Sequence, residues 1–185
     1  MKVKEMTGRV MTLFNEVTGY DAYKDADEYR YRIYAAMDSI QRELAVLLSP
    51  IRAVKTVTAV GGRALMGSDV LRVRTIKDKN GHNVSFSLTG TGEIIVADGE
   101  YELYYDKYPA VISGGTNTAQ TDEAELEISP EAQEAMMYGV CAYLLMNDEP
   151  ELYNAYTGRY MSLISNLSAA RDGRISALAR GGADI

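Results

Sequence analysis

Apolar residues recur every three or four positions toward both ends of this chain and nearer every second position in its middle. The sequence therefore predicts helices flanking strands. Met6, Val10, Leu13, Phe14 and Val17 form the first apolar stripe, which Gly19 and Asp21 end. A second helix begins near Asp25, Asp27 and Glu28, whose carboxylates suit the positive end of a helix dipole. Its stripe is Ile33, Ala36, Met37, Ile40, Leu44, Leu47 and Leu48, and Ser49-Pro50 stops it. The period then shortens. Val54 to Val60, Val70 to Ile76, Asn83 to Leu88, Ile94 to Ala97 and Glu100 to Tyr105 read as about five short strands. Asn80-Gly81 predicts a hairpin between the second and third, and Asp98-Gly99 one between the last two. Residues 109–128 are expected as a long loop, either ordered by a partner or carrying a short strand at Ala124, Leu126 and Ile128. Ser129 as N-cap before Pro130 opens a third helix, and Pro150 opens the last.

Helices, then strands, then helices imply an α+β fold that is mainly a helical bundle. Its core is expected from the N- and C-terminal helix pairs (1–50 and 129–168), with a small antiparallel β-unit (51–108) inserted and a tail at 169–185. The most distinctive stretch is Ser129 to Leu167. Ala132, Ala135, Gly139 and Ala142 would let a partner helix approach closely, while Leu152, Tyr156, Tyr160, Leu163, Ile164 and Leu167 repeat at helical spacing.

Charge narrows the choice of partners. The net charge is −7, and residues 109–168 carry nine acidic side chains against Arg159 alone. A protein that grips nucleic acid needs the opposite, a basic stripe to neutralise phosphates, so tight DNA binding is not expected. The opening residues do not read as an export signal, and the longest apolar run, Val140 to Met146, is far short of the ~20 residues of a membrane span. No membrane partner is expected.

Candidate chemistry is sparse. His82 is the only histidine and falls in a turn tip, where a solvated polar residue is the ordinary reading. Cys141, the only cysteine, lies between Val140 and Ala142 on the small-residue helix and reads as a small core hydrophobe; one cysteine also excludes an intrachain disulfide. Asp122, Glu123, Glu125 and Glu127 lack the central glycine and spaced oxygens of a calcium loop and read as a solvated charge run. The glycine groups Gly61-Gly62, Gly90-Thr91-Gly92 and Gly114-Gly115 lack the phosphate-binding spacings. No catalytic residue, metal ligand or cofactor site is assigned, and the chain is expected not to be an enzyme. Fourteen tyrosines without a tryptophan are a marked bias. Tyr101, Tyr104, Tyr105 and Tyr108 form a candidate interface, because a rigid apolar ring with a polar tip suits protein contacts.

The C-terminal segment carries a resemblance. Pro130-Glu131-Ala132-Gln133-Glu134-Ala135, Tyr138-Gly139, Ala142, Leu144-Leu145, Asp148-Glu149-Pro150-Glu151-Leu152 and Tyr160 resemble the closing helix pair of tailed-bacteriophage head–tail connector (adaptor) proteins, over about forty residues, 129–168. The resemblance implies a virion neck protein, made in the cytoplasm of a host bacterium, that forms a homo-oligomeric ring of about twelve copies beneath the portal. It implies three partners: the portal protein, the downstream neck or tail protein, and DNA that passes through the ring unbound during ejection. The tail, with Arg171, Arg174 and Arg180, would be the portal-docking segment. To this the charge pattern adds a candidate acidic channel lining at Asp122, Glu123, Glu125 and Glu127, which would repel the strand and keep it moving. The alternatives are another neck or tail-completion protein, and a non-enzymatic ligand-binding module built on the tyrosine-rich β-unit.

Overall fold

A computed structural model describes residues 1–18, 26–112 and 118–181, with side chains described at 1–14, 30–112 and 121–170. The described chain divides into two compact units, Met1–Ser49 with Ala110–Ile185, and Pro50–Pro109.

The first unit is helical. It contains α1 (Val3–Thr18), α2 (Ala26–Leu47), the short α3 (Thr118–Glu123), α4 (Pro130–Leu145) and α5 (Pro150–Gly181). α4 is the centre of the unit and packs against α1, α2 and α5. Its buried residues include Ala132, Gln133, Met136, Val140, Cys141 and Leu145, spread around most of its circumference, as expected of a helix enclosed by others. Ser129 caps it: the Ser129 hydroxyl accepts from the Ala132 amide at 3.3 Å, and Pro130 occupies the first turn, where no amide is needed. α1 and α2 present Val3, Met6, Val10 and Phe14, and Ile33, Met37, Ile40 and Leu44, to the same core. Leu47, assigned to the α2 stripe from its spacing, is instead 47% exposed at the helix end. The expected helix end at Gly19 and Asp21 lies outside the described residues.

Described parts of 109–128 are held by the helices. Gln41, itself buried, donates through Nε2 to the Ala110 carbonyl at 3.3 Å and accepts the Glu127 amide at 3.3 Å. Gln133 donates to the Ile128 carbonyl at 2.9 Å. Residues 118–123 are helical, while Glu125 forms an isolated antiparallel bridge with Lys2, and Leu126 and Ile128 are buried. The two buried amides thus satisfy backbone groups that a loop over the core would otherwise leave unpaired.

The second unit is all β. It comprises β1 (Ile51–Ala59), β2 (Arg63–Leu65), β3 (Val70–Lys77), β4 (Ser87–Leu88), β5 (Glu93–Ile95) and β6 (Gly99–Lys107). They form two three-stranded antiparallel sheets, ordered β1-β6-β3 and β2-β5-β4. One core joins the sheets, with Val57, Ala64, Ile76, Ile94, Leu103 and Tyr105 among its buried residues. β1 turns into β2 through Gly61 and Gly62 at φ +61° and +78°, the two left-handed residues a tight hairpin of matching twist requires.

This architecture corrects the expectation of a mainly helical bundle. The chain is α+β, with five helices and two three-stranded antiparallel sheets among the described residues. The physical reason is that Pro50–Pro109 bury an apolar core of their own, so the strands make a second folded unit. A second correction concerns Asp98-Gly99. It joins β5 to β6, which pair with other strands and not with each other, so no hairpin forms there. β6 is the central strand of its sheet, paired along its length from Ile51↔Lys107 to Ala59↔Gly99 with β1, and on its other side with β3. Asp98 fixes the crossover by accepting the Gly62 amide at 2.6 Å. The Asn80-Gly81 turn does form, but the returning chain makes one isolated bridge at Asn83 before β4 begins at Ser87.

Candidate functional site

The helix pair singled out by sequence is where packing is tightest. A Cβ placed on Gly139 of α4 would lie 3.0 Å from Tyr160 Cε2 of α5 and 3.1 Å from Ile40 Cγ2 of α2. Glycine here lets three helices meet. Tyr160 is 5% exposed, and burial, with the Glu43 carboxylate second, holds its phenol above the ordinary tyrosine range. Tyr156 is also buried, and Tyr138 lies with its ring centroid 6.2 Å from that of Tyr156. These tyrosines serve the core of the unit.

The four tyrosines near the end of the β-unit do not share one surface. Tyr101, Leu103 and Tyr105 alternate along β6 toward the core, whereas Tyr104 lies on the opposite face. The Tyr105 hydroxyl donates to Asp69 Oδ2 at 2.6 Å, and Lys55 Nζ both pairs with Asp69 at 2.6 Å and sits 4.7 Å from the Tyr105 ring centroid. Burial first, and then the bond to Asp69, push the Tyr105 phenol up to about 12. Tyr101 donates to the Ala97 carbonyl at 3.0 Å. Tyr104 donates to Glu102 at 2.8 Å under Lys77, and Tyr108 uses its amide to bond the Asp69 carbonyl at 2.9 Å. Tyr104 is the member of the cluster placed on the sheet's outer face.

The acidic run is engaged within the chain. Glu123 pairs with Lys2 at 2.6 Å and also with Lys4; these bonds draw its carboxyl down to about 2. Asp122 accepts from the Tyr34 hydroxyl and lies 3.5 Å from Arg30 Nη1. Glu127 accepts the Ala110 amide at 2.7 Å. Glu125 is exposed, and its backbone forms the bridge to Lys2. Two lysines and an arginine beside Asp122 and Glu123 offset the field that a bare run would project.

Cys141 is fully buried, and desolvation pushes its thiol up to about 12. His82 stands in the open, 79% exposed, in a turn built by Asp78, whose Oδ1 accepts the amides of Asn80 and His82 at 2.9 Å each. The side chains of Arg171, Arg174 and Arg180 lie outside the described residues; the α5 backbone that carries them is helical to Gly181.

Sequence reasoning passed over two features. Asp106, with only 2% of its side chain exposed, pairs with Arg74 Nε at 2.6 Å across β6 and β3. Asp106 falls on the Tyr104 side of the strand, in step with Glu100 and Glu102, so alternation alone gave no sign of its burial. Tyr143 and Met146, about half exposed, rim a hollow with Arg32, Ala35 and Leu144 at the end of α4. Their offsets of four and seven from Gly139 put them on its helix face, so the spacing predicts burial and gave no sign of this exposure.

No protein-family model matches this chain, and a search of curated proteins also finds no match. Among the described residues no helix is long and apolar enough to cross a membrane, and no group of three or more His, Cys, Asp or Glu is placed to hold a metal ion.

Proposed function

We propose that this chain is a structural head–tail connector of a tailed bacteriophage, assembling as a ring under the portal and continuing the channel by which DNA leaves the head. The observation that carries the reading is the helix pair 129–168, whose sequence resembles the closing pair of that family. Its geometry suits the role of a rigid platform. Gly139, Tyr160 and Ile40 meet without room for another methyl group, and α4 is held on three sides. The polar character of the rest agrees with passage of DNA without binding, since the chain is acidic overall at −7. The partners are the portal, the next neck or tail component and further copies of the chain; the place is the virion neck, and the role is not enzymatic.

Electron microscopy of particles made with and without the gene tests this. Separate filled heads and tails in its absence, joined again on complementation, are the expected result. Intact tailed particles without the protein would end the connector reading.

A further inference from the structure

α5 outruns the helix it packs on, with 32 residues against 16 in α4. At ~1.5 Å per residue, roughly half of its length extends past the end of α4. Burial follows the same division. Tyr156 and Tyr160 are buried, but no residue from Met161 to Ala170 is, although Leu163, Ile164 and Leu167 continue the apolar stripe. The sequence carries that spacing on through Ile175 and Leu178. It is basic there, with Arg171, Arg174 and Arg180 against Asp172 alone as far as Gly181.

The other end of the same helix has the complementary character. A hollow of about 270 Å³ between α2 and the end of α4, lined by Arg32, Ala35, Leu144 and Asn147, exposes Tyr143 at 49% and Met146 at 52% just before α5 begins. Next to it in sequence stand the exposed carboxylates Asp148, Glu149 and Glu151, in a stretch without lysine or arginine from Tyr108 to Gly158.

We propose that the C-terminal half of α5 packs on the α4–α5 corner of a second copy of this chain. The apolar stripe would cover Tyr143 and Met146, and the arginines would face Asp148, Glu149 and Glu151. The second copy is the occupant because the basic and acidic halves of the contact both belong to one chain, at opposite ends of one helix. A contact between two different patches repeats head to tail, which closes a ring or extends a filament. The inference rests on the connector reading for ring closure alone, and it gives Arg171, Arg174 and Arg180 to the neighbouring copy in place of the portal docking that the resemblance implies; the contact itself is a property of the purified chain.

The test is cysteine cross-linking of the full chain. Met146→Cys and Leu178→Cys are made singly and together, with buried Cys141 left in place, and treated with a short bis-maleimide. A ladder of covalent oligomers from the double variant, and none from either single one, is the expected result. A dimer from Leu178→Cys alone would set two overhangs against each other and overturn the contact. A double variant without a ladder would overturn it too, leaving a different protein to cover the overhang. A second pair of variants guards against local misfolding. Arg171→Glu with Arg174→Glu should weaken self-association about tenfold by sedimentation, and adding Asp148→Arg with Glu149→Arg should restore it. Loss without restoration, or a wild-type chain that stays monomeric at every concentration, overturns the proposal. Failed cross-linking together with tailless particles would leave the connector reading standing and remove this contact.

Discussion

Glu123 is the residue whose role changes most between sequence and structure. In the sequence it belongs to an acidic run; in the fold it ties the start of the chain to α3 through Lys2 and Lys4. Those partners are remote in sequence, which is why local pattern gave no sign of them. Its folded carboxyl is held at about 2, below the ordinary 4.5. A depressed carboxyl contributes stability that is fully present above pH 4.5 and is lost as pH falls toward 2. Docking of the N-terminal residues on Ala124 and Leu126 should therefore loosen across that interval. An NMR titration should place the Glu123 midpoint near 2, and Glu123→Gln should remove the loosening step. A midpoint near 4.5 would mean that the lysine pair does not persist in solution. Asp106 was hidden for a different reason. A buried carboxylate and a surface one look alike in sequence, and only the cross-strand arginine at 2.6 Å distinguishes them.

Helices were more legible than strands, and the cause lies in how each is held. α4 announces itself locally, through Ser129, Pro130 and a run of small and apolar residues, and its close packing was foreshadowed by Gly139. Gly139→Val is a direct probe of that packing. The branched side chain must displace the Tyr160 ring and Ile40, and overpacking of this kind costs about 2–3 kcal/mol despite the better helix propensity of valine. Urea melts should show the midpoint falling with the slope unchanged; an unaltered midpoint would mean that α5 shifts to accommodate the change. β5 and β6 were misread because a turn signal such as Asp98-Gly99 fixes a local bend and not the strand that pairs beyond it. Sheet order depends on which strand fills the gap between β1 and β3, and that competition is decided by partners tens of residues away.

At the scale of the whole chain, the change of hydrophobic period marked where strands replace helices, but it did not reveal how completely the strands look after themselves. Counting strands from alternation yields a sheet; it does not show that Val57, Ile76, Ile94 and Leu103 come from two sheets and close on one another. If that core suffices, residues 50–109 expressed alone should fold, giving a β-type circular dichroism spectrum, dispersed amide resonances and a cooperative melt. Sixty residues lie near the lower limit for a domain without staples, so modest stability is expected. A spectrum without dispersion would show that the strands need the helices to order them. The pairing of Ile51 with Lys107 has a different kind of consequence. Residues paired across antiparallel strands lie about 5 Å apart, so the polypeptide leaves the helical scaffold and re-enters it through a single doorway. A segment attached in that way can be deleted, duplicated or exchanged for another module by splicing at two adjoining points. The helical unit and the β-unit are thus free to diversify at separate rates within one gene.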